Sequence, residues 1–377
     1  MSQDCPENRL VKNLDTQDYW INMGPQHPST HGVLRFLMRM DGETILEIQP
    51  HIGYVHRGVE KMAEGMTYVQ FNQITSRLDY LSASINNWGY VMCVEKALGI
   101  EVPPRAEWIR IILSELTRLA SHQLWWGVYA MDLGAFTPMM HSFRDREMIN
   151  DIMEETSGSR LTMHYIRVGG LQHDIHENFV PRVRKFCDWL KSKLGEYETL
   201  VTGNPIFQAR AKGVGILKPE VGVSYGCSGP TLRGSGVDYD VRKNDPYGYY
   251  DKLDFDVPLG ETGDSWDRYY CRMLEMWQSL RIIEQCLEHL EPGEVIAKVP
   301  KRIKLPAGEY LTHVEAARGD HAYYIVSDGG QKPYRLRVRS PNFSNLSVIS
   351  KIAVGWRLAD MVTISSTLDL VAPDVDR

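Results

Sequence analysis

The sequence predicts an α+β fold: a central helical bundle with peripheral β regions. Three observations predict it. Apolar residues recur at spacings of three and four through Tyr68, Phe71, Ile74, Leu78, Leu81, Ile85, Trp88, Val91, Val94 and Leu98, a stripe that another element must cover. Asp41-Gly42 lies between two β-rich runs, which signals a hairpin. Residues 322–326 and 334–338 alternate around SDGG, a second hairpin or small sheet. With 377 residues, 43% of them apolar, the chain can bury a large core divided among several regions.

Residues 1–57 form a loop and β-rich region in this reading. The first 20 are polar and loose or extended, and GPQHPSTHG is a structured loop feeding the first strand. The first part of the bundle occupies 58–202. Its opening helix starts near Gly58 and stops at Gly99, before the boundary marked by Pro103-Pro104. A second helix starts at this proline pair, lines one face with Ile109, Ile112, Leu116, Leu119 and Leu124, and fades between Gly127 and Gly134. Further helices are expected at 142–155 and 177–194, the latter stopped by Gly195. Residues 203–263 are rich in glycine, aromatic residues and short β-like runs, so strands and ordered loops are expected there. A bundle helix returns within 264–291, ended by Pro292-Gly293. Residues 292–377 complete a small mixed α/β region with one short helix within 343–360.

Composition excludes several classes. Forty-two basic and 48 acidic side chains leave a net charge of −6, which disfavours a nucleic-acid scaffold. A membrane-spanning helix needs about 20 mostly apolar residues, and the most apolar windows, such as IRIILSEL, are short and interrupted by charge. The N-terminal stretch has no apolar core flanked by a cleavage site. Cys5, Cys93, Cys187, Cys227, Cys271 and Cys286 form no CxxC pair, so they offer no local metal-binding kit and fit a reduced environment. GVGIL, RGSGVD and GETGDSW do not match a phosphate loop or a dinucleotide fingerprint. No G-x-S-x-G, HExxH or DFG set occurs.

Three constellations carry candidate chemistry. His27, His31, His51 and His56 cluster in and beyond the turn-rich loop. Imidazoles can deliver a proton near neutral pH, or simply satisfy backbone groups. SRLDYLSASINNW holds Arg77, Asp79 and Tyr80. The tyrosine can donate from its hydroxyl while its ring packs on an apolar ligand, or it can be a core residue beside a surface Arg/Asp pair. Asp132 follows a long apolar helix and can orient a histidine or end the helix. Arg335, Arg337 and Arg339 share one strand face, solvated or facing a partner.

The strings MGPQHPSTHGVLR, PHIGYVHRGVEK, TYVQFNQITSRLDYLS, EKALGIEVPPRAEWIR, ELTRLASH, MDLGAFTP, FRDRE, YDVRKNDPY, YYIVSDGGQKPYRLRVRSPNFSNL and LDLVAPDVDR occur in this order. They resemble the D-subunit family of NADH–quinone oxidoreductase, respiratory complex I, over nearly the whole chain. That family is similar in fold to the large subunit of nickel–iron hydrogenases, whose metal sits on two CxxC pairs that this chain lacks. The resemblance therefore implies no metal and no cofactor bound by this chain. It implies quinone as substrate, an iron–sulfur cluster in the partner B subunit, and FMN and NADH elsewhere in the complex. His31 and Tyr80 would approach the quinone headgroup as proton donors, Asp132 would hold His31, and His27 would shape the loop. Arg77 would lie near the partner's cluster, and His56 and Glu60 are candidates for coupling to proton translocation.

The implied partners are the B, C and I subunits and, in the membrane, the H and A subunits. The implied place is peripheral, on the cytoplasmic side of the bacterial plasma membrane. The isolated chain is then expected to be inactive. A related complex using ferredoxin or another donor would contain a similar subunit, and a structural or assembly subunit is a further alternative. Two departures from the family stand out. Thr162 occupies a position where many members carry histidine, with His164 two residues on, and the 294–315 region is compact.

Overall fold

The computed structural model describes residues 18–26 and 31–377. It opens with an antiparallel sheet, β1 (Tyr19–Gln26), β2 (Leu34–Asp41) and β3 (Thr44–His51), in the order β1-β2-β3. The β2–β3 hairpin turns where Asp41-Gly42 predicts, with Asp41 opposite Thr44 and Gly42 at φ 56°. β1 was not expected as a strand: it takes in the GPQ of the supposed loop and pairs Tyr19 with Met40. β2 alternates strictly, burying Leu34, Phe36, Met38 and Met40.

The apolar stripe from Tyr68 to Leu98 does not belong to one helix. It is divided among α1 (Val59–Gly65), α2 (Tyr68–Thr75), a 3-10 turn (Tyr80–Ser82) and α3 (Ala83–Leu98), with Leu78 between elements. Local capping overrides the long-range period. Thr67 and Gln70 form a reciprocal capping box that starts α2 afresh. Asp79 is extended and accepts from Leu81 N at 3.1 Å, which caps the 3-10 turn. Gly99 ends α3 at φ 63°, as expected.

Pro104 then opens α4 (Pro104–Asp132), about 44 Å long. Side chains all round α4 are buried, which makes it the axis of the bundle. α5 (Thr137–Ser157) and α6 (Phe179–Tyr197) follow, with two short paired strands, β4 (Ile166–Arg167) and β5 (Gly170–Leu171), between them. Gly195 does not stop α6. It lies within the helix, and buried Tyr197 stacks on Trp126 with ring centroids 4.0 Å apart, holding the last turn to the core.

Residues 203–263 contain no strand, contrary to expectation. They form short helices: α7 (Pro205–Ala211), α8 (Pro219–Ser224), α9 (Pro230–Arg233) and α10 (Val241–Asn244). Three of these begin with proline, pre-set for a first turn, and Asn204 and Asp240 cap helices with their side chains. Gly229 serves close approach: at φ 66°, a Cβ there would lie 2.4 Å from the Arg318 carbonyl oxygen. α11 (Ser265–Glu288) is capped by Asp264, which accepts from Asp267 N at 2.8 Å.

The C-terminal region has an antiparallel sheet, β6 (Gly308–Ala316), β7 (Gly319–Ser327) and β8 (Arg335–Arg339). The β7–β8 hairpin is the expected one, and β6 is an addition. In place of one short helix come four: α12 (Pro341–Ser347), α13 (Ile349–Ile352), α14 (Leu358–Leu368) and α15 (Ala372–Asp376). Their Ile349, Ile352, Met361 and Ile364 share a core with Phe36, Met38 and Met40 of the first sheet. The first sheet and the C-terminal helices are thereby joined on one side of the bundle. Cys93, Cys187, Cys227, Cys271 and Cys286 are buried and free, whereas Cys5 lies outside the described residues. No helix among the described residues is long and apolar enough to cross a membrane.

Candidate functional site

Tyr80 begins the 3-10 turn between α2 and α3, half-buried. Its ring packs against a small cluster of Leu81, Leu124 and Val371, joined by Val128 of α4. Asp132 is one helical turn beyond Val128, so α4 runs from that cluster to the carboxylate. His31 approaches from the other side, with its ring centroid 6.3 Å from that of Tyr80 and the planes at 87°. Its backbone is left-handed, φ 46°. The next residue, Gly32, is pressed on α15 so closely that a Cβ would lie 2.7 Å from Ala372 Cβ. Three segments far apart in sequence thus bring His31, Tyr80 and Asp132 to one side of the bundle. His27 lies outside the described residues.

The surroundings keep Tyr80 a neutral phenol. Burial raises its affinity for the proton, Asp79 adds to this, and Arg318 and Arg146 oppose it. A neutral phenol can donate a hydrogen bond or a proton. Ser366 Oγ donates to Asp132 Oδ2 at 2.6 Å, and Trp125 Nε1 donates to the Ser366 carbonyl at 2.7 Å. Asp132 is therefore tied to α14 and accepts at a fixed place.

Arg77 and Asp79 are not a surface pair. Arg77 is exposed and donates to Gln73 O at 2.6 Å, while Asp79 is buried and meets Arg318 at 3.4 Å. Arg318 also donates to Asp369 Oδ1 at 2.8 Å and to Ser121 Oγ, all without solvent contact. Arg318, Asp369, Ser366 and Arg146 were missed from the sequence. Only Arg146 had a local signal, the dense FRDRE string. The others matter through contacts such as Arg318 to Asp79, 239 residues apart.

His164 lies on the Arg77 side. Burial, then Arg167 and Arg77, push its imidazole down to about 4, so it is neutral at physiological pH. Thr162 is half-buried nearby in sequence. His51 sits at the end of β3, opposite Arg35, away from Tyr80 in the fold order. His56 and Glu60 line a separate cavity of about 250 Å³ with Lys61, Arg335, Arg337, Asp376 and Arg377. His56 Nδ1 is 2.6 Å from Asp376 O, and Glu60 accepts from Val338 N at 3.0 Å and from Arg335 at 3.2 Å. No cluster of His, Cys, Asp and Glu among the described residues could hold a metal ion.

The chain is thus a mixed helix-and-strand protein with a buried ion network around Arg318 and a tyrosine–histidine pair at the bundle edge, and its sequence places it in a respiratory-chain class. The family model described as "Respiratory-chain NADH dehydrogenase, 49 Kd subunit" matches residues 132–303 and 297–377. Relatives named as the D subunit of NADH-quinone oxidoreductase align along almost their whole length. That of Desulforamulus reducens is 48% identical over 363 residues, 96% of this chain and 99% of its own. That of Clostridium beijerinckii is 48% identical, covering 97% and 99%, and that of Geobacillus kaustophilus 49%, covering 96% and 99%. The chain belongs to the D-subunit family of NADH-quinone oxidoreductase, and so to a multisubunit oxidoreductase complex.

Proposed function

We propose that this subunit holds the headgroup of a quinone at His31 and Tyr80 and protonates it as it is reduced. The observation that carries the reading is the edge-on approach of His31 to a half-buried, neutral Tyr80, with Asp132 anchored at the end of the adjoining helix. Two electrons and two protons convert a quinone to a quinol. The electrons come from the iron–sulfur cluster of a partner, the B subunit, while FMN and NADH act elsewhere in the complex. A reduced quinone oxygen left anionic in a buried site is costly, so a donor must face it. Tyr80 donates to one carbonyl as general acid, and His31 serves the other directly or through a water. Asp132 favours the charged imidazole. Exposed Arg77 turns its positive charge toward the cluster-bearing partner, and His27 shapes the loop.

The lack of CxxC pairs fits a hydrogenase-type scaffold whose metal position has become part of a quinone site. The chain sits on the cytoplasmic side of the membrane, between the B subunit and the membrane-embedded H subunit, with the C, I and A subunits in the same assembly. His56 and Glu60, which share one cavity, couple quinone reduction to proton translocation.

The test is Tyr80→Phe in the assembled complex. Assembly is retained, and quinone reduction falls about tenfold or more, because one donor is lost in a site where general acids contribute about 100-fold or more. Unchanged rates with several quinones would sink the assignment. Glu60→Gln separates coupling from chemistry: quinone reduction persists while proton pumping per electron drops. Wild-type values of both remove Glu60 from the coupling path.

A further inference from the structure

The arginines of β8 do not share one fate. Arg335 is met by Glu60 and Glu64 at 3.2 and 3.1 Å, and Arg339 by Asp320 at 3.3 Å. Arg337, between them, is exposed and makes no ion pair with a described residue. Residues two apart on a strand face lie about 7 Å from each other, so Arg337 stands unpaired between two ion-paired arginines.

Two cavities meet at Arg337 and Arg377. One is the His56–Glu60 cavity. The other, about 320 Å³, is lined by Leu311, His313, Tyr324, Arg339 and Phe343 among others, with no Asp or Glu side chain in its wall. Two acids beside it are already engaged: Asp320 holds His313 at 2.9 Å, and Glu309 accepts from the Tyr324 hydroxyl at 2.6 Å. Arg377 donates to Val338 O at 2.8 Å and lies 4.9 Å from the centre of the Phe343 ring. Phe343 and Leu311, which line this cavity, are 42% and 44% exposed. A chain with net charge −6 thus carries a groove where two guanidinium groups without a side-chain ion pair to a described residue stand beside apolar patches.

We infer that this groove is a docking surface for an acidic, extended segment of a neighbouring subunit, whose carboxylates pair with Arg337 and Arg377 while an apolar side chain rests on Leu311 and Phe343. Charge complementarity selects the partner: Arg337 has no carboxylate partner among the described residues, and an acidic segment supplies one. Membership of a multisubunit complex supplies such neighbours. The inference does not depend on the quinone assignment.

The experiment places a benzoylphenylalanine photo-crosslinker at Tyr324 in the intact complex and maps the adduct by mass spectrometry. The expected adduct is a segment of another subunit rich in Asp and Glu. Arg337→Glu lowers its yield about tenfold or more, since reversing a paired charge costs at least about 1.4 kcal/mol, whereas Arg337→Lys keeps most of it. Loss of that same neighbour from the Arg337→Glu complex counts equally in favour. An adduct with lipid, an adduct with a segment lacking carboxylates, no adduct, or a yield indifferent to Arg337→Glu each overturns the inference.

Discussion

The bundle interior and the edge around Tyr80 both concentrate polar side chains, but they use them in opposite ways. In the interior, Arg118, Arg233 and Arg242 face Glu115, Asp240, Glu275 and Glu315 with no solvent. The carboxylates also receive Ser279 and Tyr250 hydroxyls, the Val241 N–H and the His122 ring. Burial alone would raise Glu115, yet Arg118 and Arg242 hold it down at about 2. At the edge, Tyr80 and His31 meet side-on and stay half-open. A closed network fixes a scaffold, and a half-open pair can meet a ligand. Buried charges are tolerated only when each is paired, so the interior has little to offer a substrate.

Breaking the interior has the largest expected effect. Glu275→Ala leaves Arg233 and His122 buried without their shared carboxylate and lowers stability by about 3–5 kcal/mol, read from the denaturant midpoint. A loss below about 1 kcal/mol means that water or a rearranged Glu315 replaces it.

A finer test uses proton count. Three guanidinium groups face four carboxylates, so one carboxyl can keep its proton, and Glu315 is the one, raised from 4.5 to about 7 by burial first and by Asp240 next. Its folded state holds a proton that the unfolded chain releases from about pH 4.5 upward. Its contribution to stability therefore falls as pH rises from about 4.5 to 7, and is level outside that window. Glu315→Gln cannot titrate. Denaturation midpoints of this variant should lose that decline, and an unchanged slope between pH 4.5 and 7 would assign the proton elsewhere.

The smallest stability effect belongs to the edge. Tyr80→Phe, with its large expected loss of activity, changes stability by less than about 1 kcal/mol, because the half-open hydroxyl anchors no described side chain. A Tyr80→Phe variant that melts like Glu275→Ala would make Tyr80 a scaffold residue and erase the contrast.

Much of the fold was legible where one local rule acted alone. Pro104 and Gly99 bound their helices as expected, Asp41-Gly42 marked its hairpin, and Asp264 to Leu290 read as helix. Reading failed where rules competed. The stripe from Tyr68 to Leu98 looked continuous, but the Thr67–Gln70 box and Asp79 cut it into pieces. Glycine and aromatic density suggested strands in 203–263, where prolines and caps instead made short helices. Of the site, the residue types at His31, Tyr80 and Asp132 were visible. Their supports were not, since a serine at 366 or an arginine at 318 carries no mark of the carboxylate it will meet.

The sequence by itself determined the class of the chain, its helix and hairpin signals, and the residues able to move protons. Those are properties of single side chains and short spacings. Only the tertiary structure decided which charges would be sealed and which left open. It brought Arg318 to Asp79, closed the interior network across α4, α11 and β6, and left Arg337 without an acid among the described residues. The reason is physical: the worth of a charge depends on its solvent and its partner, and both are set by packing between segments remote in sequence.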